Sequence, residues 1–152
     1  MKLSKIKIAL YQECSSITKQ RVLKLKATLQ DVQNAANNET KSSAGDKHET
    51  GRAMAQLETE KLSAQLSEAL KLEQVLQQIN PKQKHQTIGL GSLVISNNGN
   101  FYVSVSLGKI EIDNEIYFAI SSASPIGQQL TGKKPTDSFS FNGTQYIIKE
   151  LV

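Results

Sequence analysis

Apolar residues in the first half of the chain recur at steps of three and four along two stretches. This spacing places the side chains on one stripe of an α-helix, and a single helix cannot bury that stripe alone. We therefore predict two helices that pack as an antiparallel hairpin with coiled-coil contacts. The two stripes comprise Leu3, Ile6, Leu10, Cys14, Ile17, Val22, Leu25, Leu29, Val32 and Ala36, and then Leu62, Leu66, Ala69, Leu72, Leu76 and Ile79.

The turn between the two helices is predicted within residues 34–46, where the apolar stripe ends. This segment collects Asn, Ser, Thr and Gly, which compete with helical hydrogen bonding or favour turns. Two helices of roughly 30 residues form an arm about 45 Å long. A two-helix arm of that length has little core of its own. We therefore expect the arm to extend toward a partner.

The second half of the chain has the alternation and the turn residues of β-strands. Strands are predicted around residues 93–96, 101–105, 110–112, 116–120, 139–141 and 146–148, with turns at residues 97–100 and 142–143. Pro125 suits the first turn of a short helix that Gly132 ends. The prediction is an α+β fold in which the helical hairpin is followed by a mainly antiparallel sheet of about five strands with one short helix.

A change in composition near Pro81 predicts the domain boundary. Seven of the eight aromatic residues follow position 100, whereas the first half is rich in helix-forming residues. Pro81 cannot continue a helix, and it disfavours helical geometry in the residue before it. Residues 1–80 are therefore assigned to the arm, with its tip near 42–52. Residues 81–86 are assigned to a linker, and residues 87–152 to the β-rich domain.

Composition and charge narrow the classes of protein. The chain has 152 residues, a formal net charge of +4 and one cysteine. The single cysteine excludes an internal disulfide framework and a zinc site built from cysteines. No apolar stretch approaches the ~20 residues of a membrane span, and no secretory signal is recognised. We expect a cytoplasmic monomer without a membrane partner, and the modest positive charge permits a polyanionic partner without requiring one.

The predicted tip contains two carboxylates, Asp46 and Glu49, three residues apart. On a helical turn this spacing puts both on one face, where they can hold Mg²⁺ and orient a water. The same residues also suit a capping box at the start of the second helix, and spacing alone favours that interpretation. Because an exposed pair lacks a shaped pocket, a chemical role requires the pocket to belong to a partner. His48 is interpreted as an exposed residue.

The sequence pattern alone identifies two further candidates, a basic stretch and the single cysteine. The stretch contains Lys19, Arg21, Lys24 and Lys26 without interleaved aromatic residues. It is interpreted as a solvated helix face, with contact to an RNA or DNA backbone as the alternative. Cys14 lies on the apolar stripe and is predicted to be in the core.

Two segments resemble the Gre family of bacterial transcript-cleavage and elongation factors. Residues 45–50, Gly-Asp-Lys-His-Glu-Thr, are similar to the family's Gly-Asp-Leu-Ser-Glu-Asn tip. Residues 124–133, with Asp137 beyond them, are similar to its Ser-Pro-x-x-x-x-Leu-x-Gly-Lys segment. This resemblance follows the order of parts over essentially the whole chain. Lys47, His48 and Thr50 depart from the family pattern.

The resemblance implies an accessory factor rather than an enzyme in its own right. An FKBP-like C-terminal domain would bind bacterial RNA polymerase at the secondary channel. The coiled coil would deliver Asp46 and Glu49 to the polymerase centre, where they would share Mg²⁺ and help to cut the 3′ end of backtracked nascent RNA. The implied polymerase-binding residues are Ser124, Pro125, Ile126, Gly127, Gly132 and Lys133, and the candidate RNA contacts are Arg21, Lys24 and Lys47.

Three other functions stay open at this point. Lys47 and His48 motivate a secondary-channel regulator that inhibits transcription without cleaving RNA. An FKBP-like domain admits a peptidyl-prolyl isomerase, although few aromatic residues are present to line a proline pocket. The remaining alternative is a structural coiled-coil adaptor in which Asp46 and Glu49 only cap a helix.

Overall fold

The computed structural model describes the backbone of residues 2–42 and 46–152 and the side chains of residues 2–38 and 50–152. It confirms the predicted fold class, because two long helices are followed by a six-stranded, mostly antiparallel sheet with one short helix. The elements in chain order are α1 (Leu3–Ser42), α2 (Asp46–Gln77), β1 (Leu93–Ser96), β2 (Gly99–Ser104), β3 (Gly108–Ile112), β4 (Glu115–Ser121), α3 (Pro125–Leu130), β5 (Ser138–Phe141) and β6 (Thr144–Leu151).

The chain divides into two compact units. The hairpin unit comprises residues 17–73, and the sheet unit comprises residues 1–16 together with residues 74–152. The sheet unit therefore includes the first turns of α1 and the last residues of α2, in addition to all six strands. The boundary predicted near Pro81 was based on composition, whereas this division reflects which residues contact one another.

The helices of the hairpin unit run antiparallel over most of their length. Residues 21–28 of α1 lie beside residues 62–72 of α2, and residues 33–37 lie beside residues 52–59. Val22, Leu62 and Ala69 of the predicted stripes are buried. The other stripe residues of this unit are half-buried, so both helices turn their stripes inward, as the periodicity predicts.

Both helices extend into residues 34–46, the segment in which the turn is predicted. α1 continues as a helix through residues 34–42, and α2 begins at Asp46. Each Asn or Thr lowers helix propensity by only about 0.7 kcal/mol relative to Ala. Contact with a second helix can offset such a cost, and residues 33–37 lie beside residues 52–59 of α2.

The sheet has the strand order β3-β4-β2-β1-β6-β5. All neighbouring pairs are antiparallel except β2 and β4, which are parallel. Each of the six predicted strand segments overlaps a strand, although the predicted sheet of about five strands has one too few. The tight turns use residues that tolerate positive φ: Asp113 and Asn114 join β3 to β4, and Asn142 and Gly143 join β5 to β6.

The strand alternation gives the sheet two buried faces. Phe101 and Val103 of β2 belong to the core cluster, whereas Tyr102 and Ser104 between and after them point to the other face. The cluster packs under α3 and comprises Ile88, Val94, Phe101, Val103, Leu130, Phe139 and Ile148.

The opposite face of the sheet contacts the first turns of α1 within the sheet unit. The Cys14 Sγ lies 4.0 Å from the Ser104 Oγ, and both residues are buried. Burial raises the pKa of the Cys14 thiol to about 11. The prediction that Cys14 is a core residue is confirmed, and its neighbour across the interface is a strand residue.

Candidate functional site

The predicted acidic tip lies at the junction of the two long helices. Asp46 is the first residue of α2 and Glu49 follows three residues later, so both belong to its first turn. The side chains of residues 39–49, including Lys47 and His48, lie outside the described residues. The metal-ligand role of Asp46 and Glu49, and the capping alternative, therefore stay predictions.

The second predicted segment, residues 124–133, is fully described, and we call it the Ser-Pro segment. Ser124 is the N-cap of α3: its Oγ accepts a hydrogen bond from the Gly127 N–H at 3.1 Å and donates one to the Ser121 carbonyl at 2.6 Å. Pro125 occupies the first helical position, where no backbone N–H is needed. The Ser-Pro pair thus starts the helix.

Replacing Ser124 with Ala is expected to lower the free energy of unfolding by about 1–2 kcal/mol, because it removes the cap. Ser122→Ala is the matched control, since Ser122 is exposed in the adjacent turn. Urea denaturation of both variants measures the difference. Equal losses in the two variants would contradict the capping role of Ser124.

Gly127 lies where the backbone of α3 passes closest to the end of β4. A Cβ on this residue would be 2.0 Å from the Ser121 carbonyl oxygen and 2.9 Å from the Ser122 Cα. Real side chains do not approach backbone atoms so closely, so the position requires glycine. This close approach sets α3 against the end of its neighbouring strand.

The end of the Ser-Pro segment is tied to the chain before β1. The Gly132 N–H donates to the Ile88 carbonyl, and the Ile88 N–H donates to the Lys133 carbonyl, both at 2.8 Å. Gly132 has a φ of +85°, which glycine adopts without steric cost. Leu130 is fully buried in the core cluster. Hydrogen bonds and core packing therefore hold the Ser-Pro segment in place.

Lys133 is held at the surface by two contacts. Its Nζ lies 5.4 Å from the centre of the Phe139 ring and donates a hydrogen bond to the Gln129 carbonyl at 2.5 Å. The Phe139 ring stacks on Tyr146 with 5.1 Å between their centres. A cation over an aromatic face is attracted by the ring quadrupole. The ammonium group is thus presented in a defined position.

The six residues predicted to bind the polymerase separate into two groups. The local structure requires Ser124, Gly127 and Gly132 at their positions, so a contact with a partner is not needed to explain these residues. Pro125 is exposed, and Ile126 and Lys133 are half-buried, so these three can take part in a contact. The sequence prediction omitted two exposed residues on α3, Gln128 and Gln129.

The predicted RNA contacts Arg21 and Lys24 lie beside each other on a groove of the hairpin unit. We call it the basic groove; it encloses about 610 Å³ and is mainly apolar at its base. Glu68, the acidic residue in its wall, pairs with Lys71 at 3.2 Å. The groove residues are Arg21, Lys24, Leu25, Thr28, Leu62, Gln65, Glu68, Ala69 and Leu72.

The described residues contain no cluster of three or more His, Cys, Asp or Glu side chains able to hold a metal ion. Within the same residues, no helix combines the length and apolar character needed to cross a membrane.

Comparison with known proteins gives a likeness to solved structures. No protein-family model matches the chain, and no curated protein matches it. A solved structure described as "Structure of the transcription factor Gfh1" is 21% identical, with a TM-score of 0.36. The match covers 90% of this chain and 92% of that one. At this identity and TM-score, the likeness is too low to assign a function.

Proposed function

We propose that this chain is a bacterial transcription elongation factor that acts through the secondary channel of RNA polymerase and stimulates Mg²⁺-dependent cleavage of backtracked RNA. The observation that carries the proposal is the position of Asp46 and Glu49 at the start of α2, the second helix of a long antiparallel hairpin. The resemblance of residues 45–50 and of the Ser-Pro segment to the Gre family supports the same function.

The length of the hairpin suits entry into a channel. At 1.5 Å per residue, the parts of α1 and α2 within the hairpin unit, residues 17–42 and 46–73, each span about 40 Å. Only residues 43–45 separate the two helices. Carboxylates in the first turn of α2 are therefore at the turn end of the hairpin, where a long, narrow element can present them.

The spacing of the two acids suits a shared metal ion. Positions three apart in a helix are neighbours on its surface, so Asp46 and Glu49 can face one ligand together. Bound Mg²⁺ would polarise the phosphodiester and lower the pKa of an attacking water. In this proposal the chain supplies oxygen ligands and orients the water, while the polymerase supplies the remaining ligands and the enclosed site. The chain is then an accessory factor and not itself the enzyme.

The direct test uses a halted, backtracked polymerase complex with RNA labelled at its 5′ end. Adding the chain with Mg²⁺ is expected to shorten the RNA at least tenfold faster than the polymerase does alone. A parallel sample chelated with EDTA should show no shortening. Normal binding to the polymerase without any acceleration would eliminate cleavage stimulation.

A second function, a channel regulator without cleavage activity, is favoured by Lys47 and His48. These residues stand between the two acids, and a positive charge beside a carboxylate pair disfavours a bound cation. The same experiment separates the alternatives. Slower RNA extension without shortened products would support the regulator.

The basic groove gives a prediction about RNA. Replacing Arg21 and Lys24 with Gln is expected to raise the concentration for half-maximal RNA shortening roughly fivefold to tenfold, because two phosphate contacts are lost. The control is Lys26→Gln with Lys61→Gln, which removes the same charge from exposed positions of the same unit outside the groove. Equal effects of the two double variants would indicate general electrostatics and contradict RNA contact at the groove.

A further inference from the structure

The sequence contains two Asn-Gly pairs, Asn98-Gly99 and Asn142-Gly143, and both asparagines occupy turns between strands of the sheet unit. In such a pair the main-chain nitrogen of the glycine can attack the side-chain amide of the asparagine, because glycine has no Cβ to hinder the approach. The reaction requires that the asparagine side chain and the turn can both move. The two pairs differ in both respects.

Asn98 is fixed in the turn between β1 and β2. Its Nδ2 donates a hydrogen bond to the Gln145 carbonyl at 2.9 Å, and its N–H donates one to the Ser96 Oγ at 3.2 Å. The Ser96 Oγ in turn donates to the Gly99 carbonyl at 2.6 Å. Attack on the Asn98 amide therefore requires several hydrogen bonds to break together.

The neighbouring Asn97 ties the same turn to β6. Its Oδ1 accepts a hydrogen bond from the Ile147 N–H at 2.7 Å, and its Nδ2 donates one to the Gln145 carbonyl at 3.2 Å. The Asn97 N–H donates to the Ile147 carbonyl at 3.2 Å. The turn is thus held by the main chain of an adjacent strand as well as by its own residues.

Asn142 lies in the tight turn between β5 and β6, where it is exposed and has a φ of +51°. Within the described part of the chain, its side-chain amide has no hydrogen-bond partner, and neither does the Gly143 N–H. β5 has four residues and forms an edge of the sheet. Because few contacts hold this turn, it can open locally at a low cost in free energy.

We propose that Asn142 is a site of spontaneous deamidation and that the fold protects Asn98 from the same reaction. The Gly143 nitrogen forms a bond to the Asn142 Cγ, the Cγ–Nδ2 bond breaks, and ammonia leaves with the proton of the Gly143 N–H. Water then opens the cyclic imide at either carbonyl, which gives aspartate or isoaspartate at position 142. One water is consumed and one ammonia is released, so solvent water is the co-reactant.

The reaction alters the edge of the sheet. Either product adds a negative charge to the turn, and isoaspartate also lengthens the main chain by one carbon atom. The turn joins Phe141 to Thr144, which pair across β5 and β6, and Phe141 packs against the core cluster. Isoaspartate at position 142 is therefore expected to loosen this pairing, whereas the substitution Asn142→Asp should preserve it.

The test is incubation of the full chain at neutral pH in ¹⁸O-labelled water, followed by proteolysis and mass spectrometry of the two turn peptides. In the folded chain, Asn142 is expected to convert roughly tenfold faster than Asn98 or more, because each hydrogen bond that must break slows the reaction. In guanidinium chloride the two rates should agree within about threefold, since each unfolded site has a glycine next to it. The ¹⁸O label in the new carboxylate identifies water as the co-reactant.

The variant Ser96→Ala shows whether hydrogen bonds protect Asn98. It removes the Ser96 Oγ and with it two hydrogen bonds of the turn. Conversion of Asn98 should then accelerate roughly threefold or more, while that of Asn142 stays unchanged. Ser106→Ala is the matched control, because Ser106 is exposed outside both turns. Asn142→Gln should abolish the signal from the turn between β5 and β6.

Three results would overturn the proposal. They are an unconverted Asn142 in the folded chain over a period in which the unfolded chain converts, conversion of Asn98 at least as fast as that of Asn142, and an unchanged Asn98 rate in Ser96→Ala. The assay contains no polymerase, so its result is independent of the RNA-shortening experiment.

Discussion

Asp46→Asn and Glu49→Gln are each expected to reduce stimulated RNA shortening roughly 100-fold or more, while polymerase binding changes less than twofold. Each variant replaces a carboxylate with an amide of nearly the same shape, which removes the charge that attracts Mg²⁺. Loss of a group that stabilises transition-state charge typically has an effect of this size. The measurements are the rate of RNA shortening and the concentration that half-saturates the polymerase.

The double variant refines this prediction. If Asp46 and Glu49 hold one ion together, removing the second acid should cost little once the first is gone, because ligands of one site act as a unit. Two helix caps would behave differently: Asn caps a helix about as well as Asp, and Gln replaces Glu in a capping box, so neither the single variants nor the double variant would lose much stability or activity. The double variant therefore distinguishes ligands from caps.

Matched controls for the tip variants come from exposed acids elsewhere in the hairpin unit. Asp31→Asn and Glu60→Gln make the same chemical changes on α1 and α2. Chains with either substitution should stimulate RNA shortening at the same rate as the unaltered chain. Comparable losses in the control variants would show that net charge, rather than the position of the acids, governs activity.

Local rules predicted α3 well, because its signals lie within a few residues of one another. Pro125 favours a helix start, and Gly132 follows the end with the positive φ that glycine adopts readily. The turn at Asn142 and Gly143 was predicted for a similar reason. Such features depend on backbone preference more than on distant contacts.

The end of α1 was predicted less well, because it depends on a neighbour distant in sequence. Residues 34–42 have weak helix preference on their own, yet residues 33–37 lie beside residues 52–59 of α2. Periodicity identifies that a stripe exists but not how far its partner extends. Tertiary packing therefore decided the boundary.

The burial of Lys7 could not be predicted from the pattern at all. Lys7 follows Ile6 at the edge of the apolar stripe, where lysine ordinarily extends to solvent. Gln83, whose carbonyl oxygen accepts a hydrogen bond from the Lys7 Nζ, is 76 positions away. No local signal links the two segments. For the same reason, sequence spacing did not reveal that Cys14 approaches Ser104 of the sheet.

The structural content of the Ser-Pro segment leads to the second large expected effect. Gly127→Ala should lower the free energy of unfolding by about 3 kcal/mol or more, because the new Cβ would overlap the Ser121 carbonyl oxygen at 2.0 Å. For a chain of this size, such a loss corresponds to a decrease in Tm of roughly 6–12 °C. Relief requires the backbone of α3 to move away from β4, which disturbs buried Leu130. Thermal and urea unfolding measure the effect.

Gly89→Ala is the matched control for this glycine substitution. A Cβ at Gly89 meets no atom within 4 Å, so the variant should be neutral or up to about 1 kcal/mol more stable. Adding Ser124→Ala to Gly127→Ala should not restore stability, because the Ser124 Oγ lies 2.9 Å from the new Cβ while the 2.0 Å backbone contact remains. A fully stable Gly127→Ala chain that no longer binds polymerase would instead make Gly127 a contact residue. Loss of stability accompanied by a proportional loss of binding is the expected result, since the glycine acts by allowing α3 to lie against its strand.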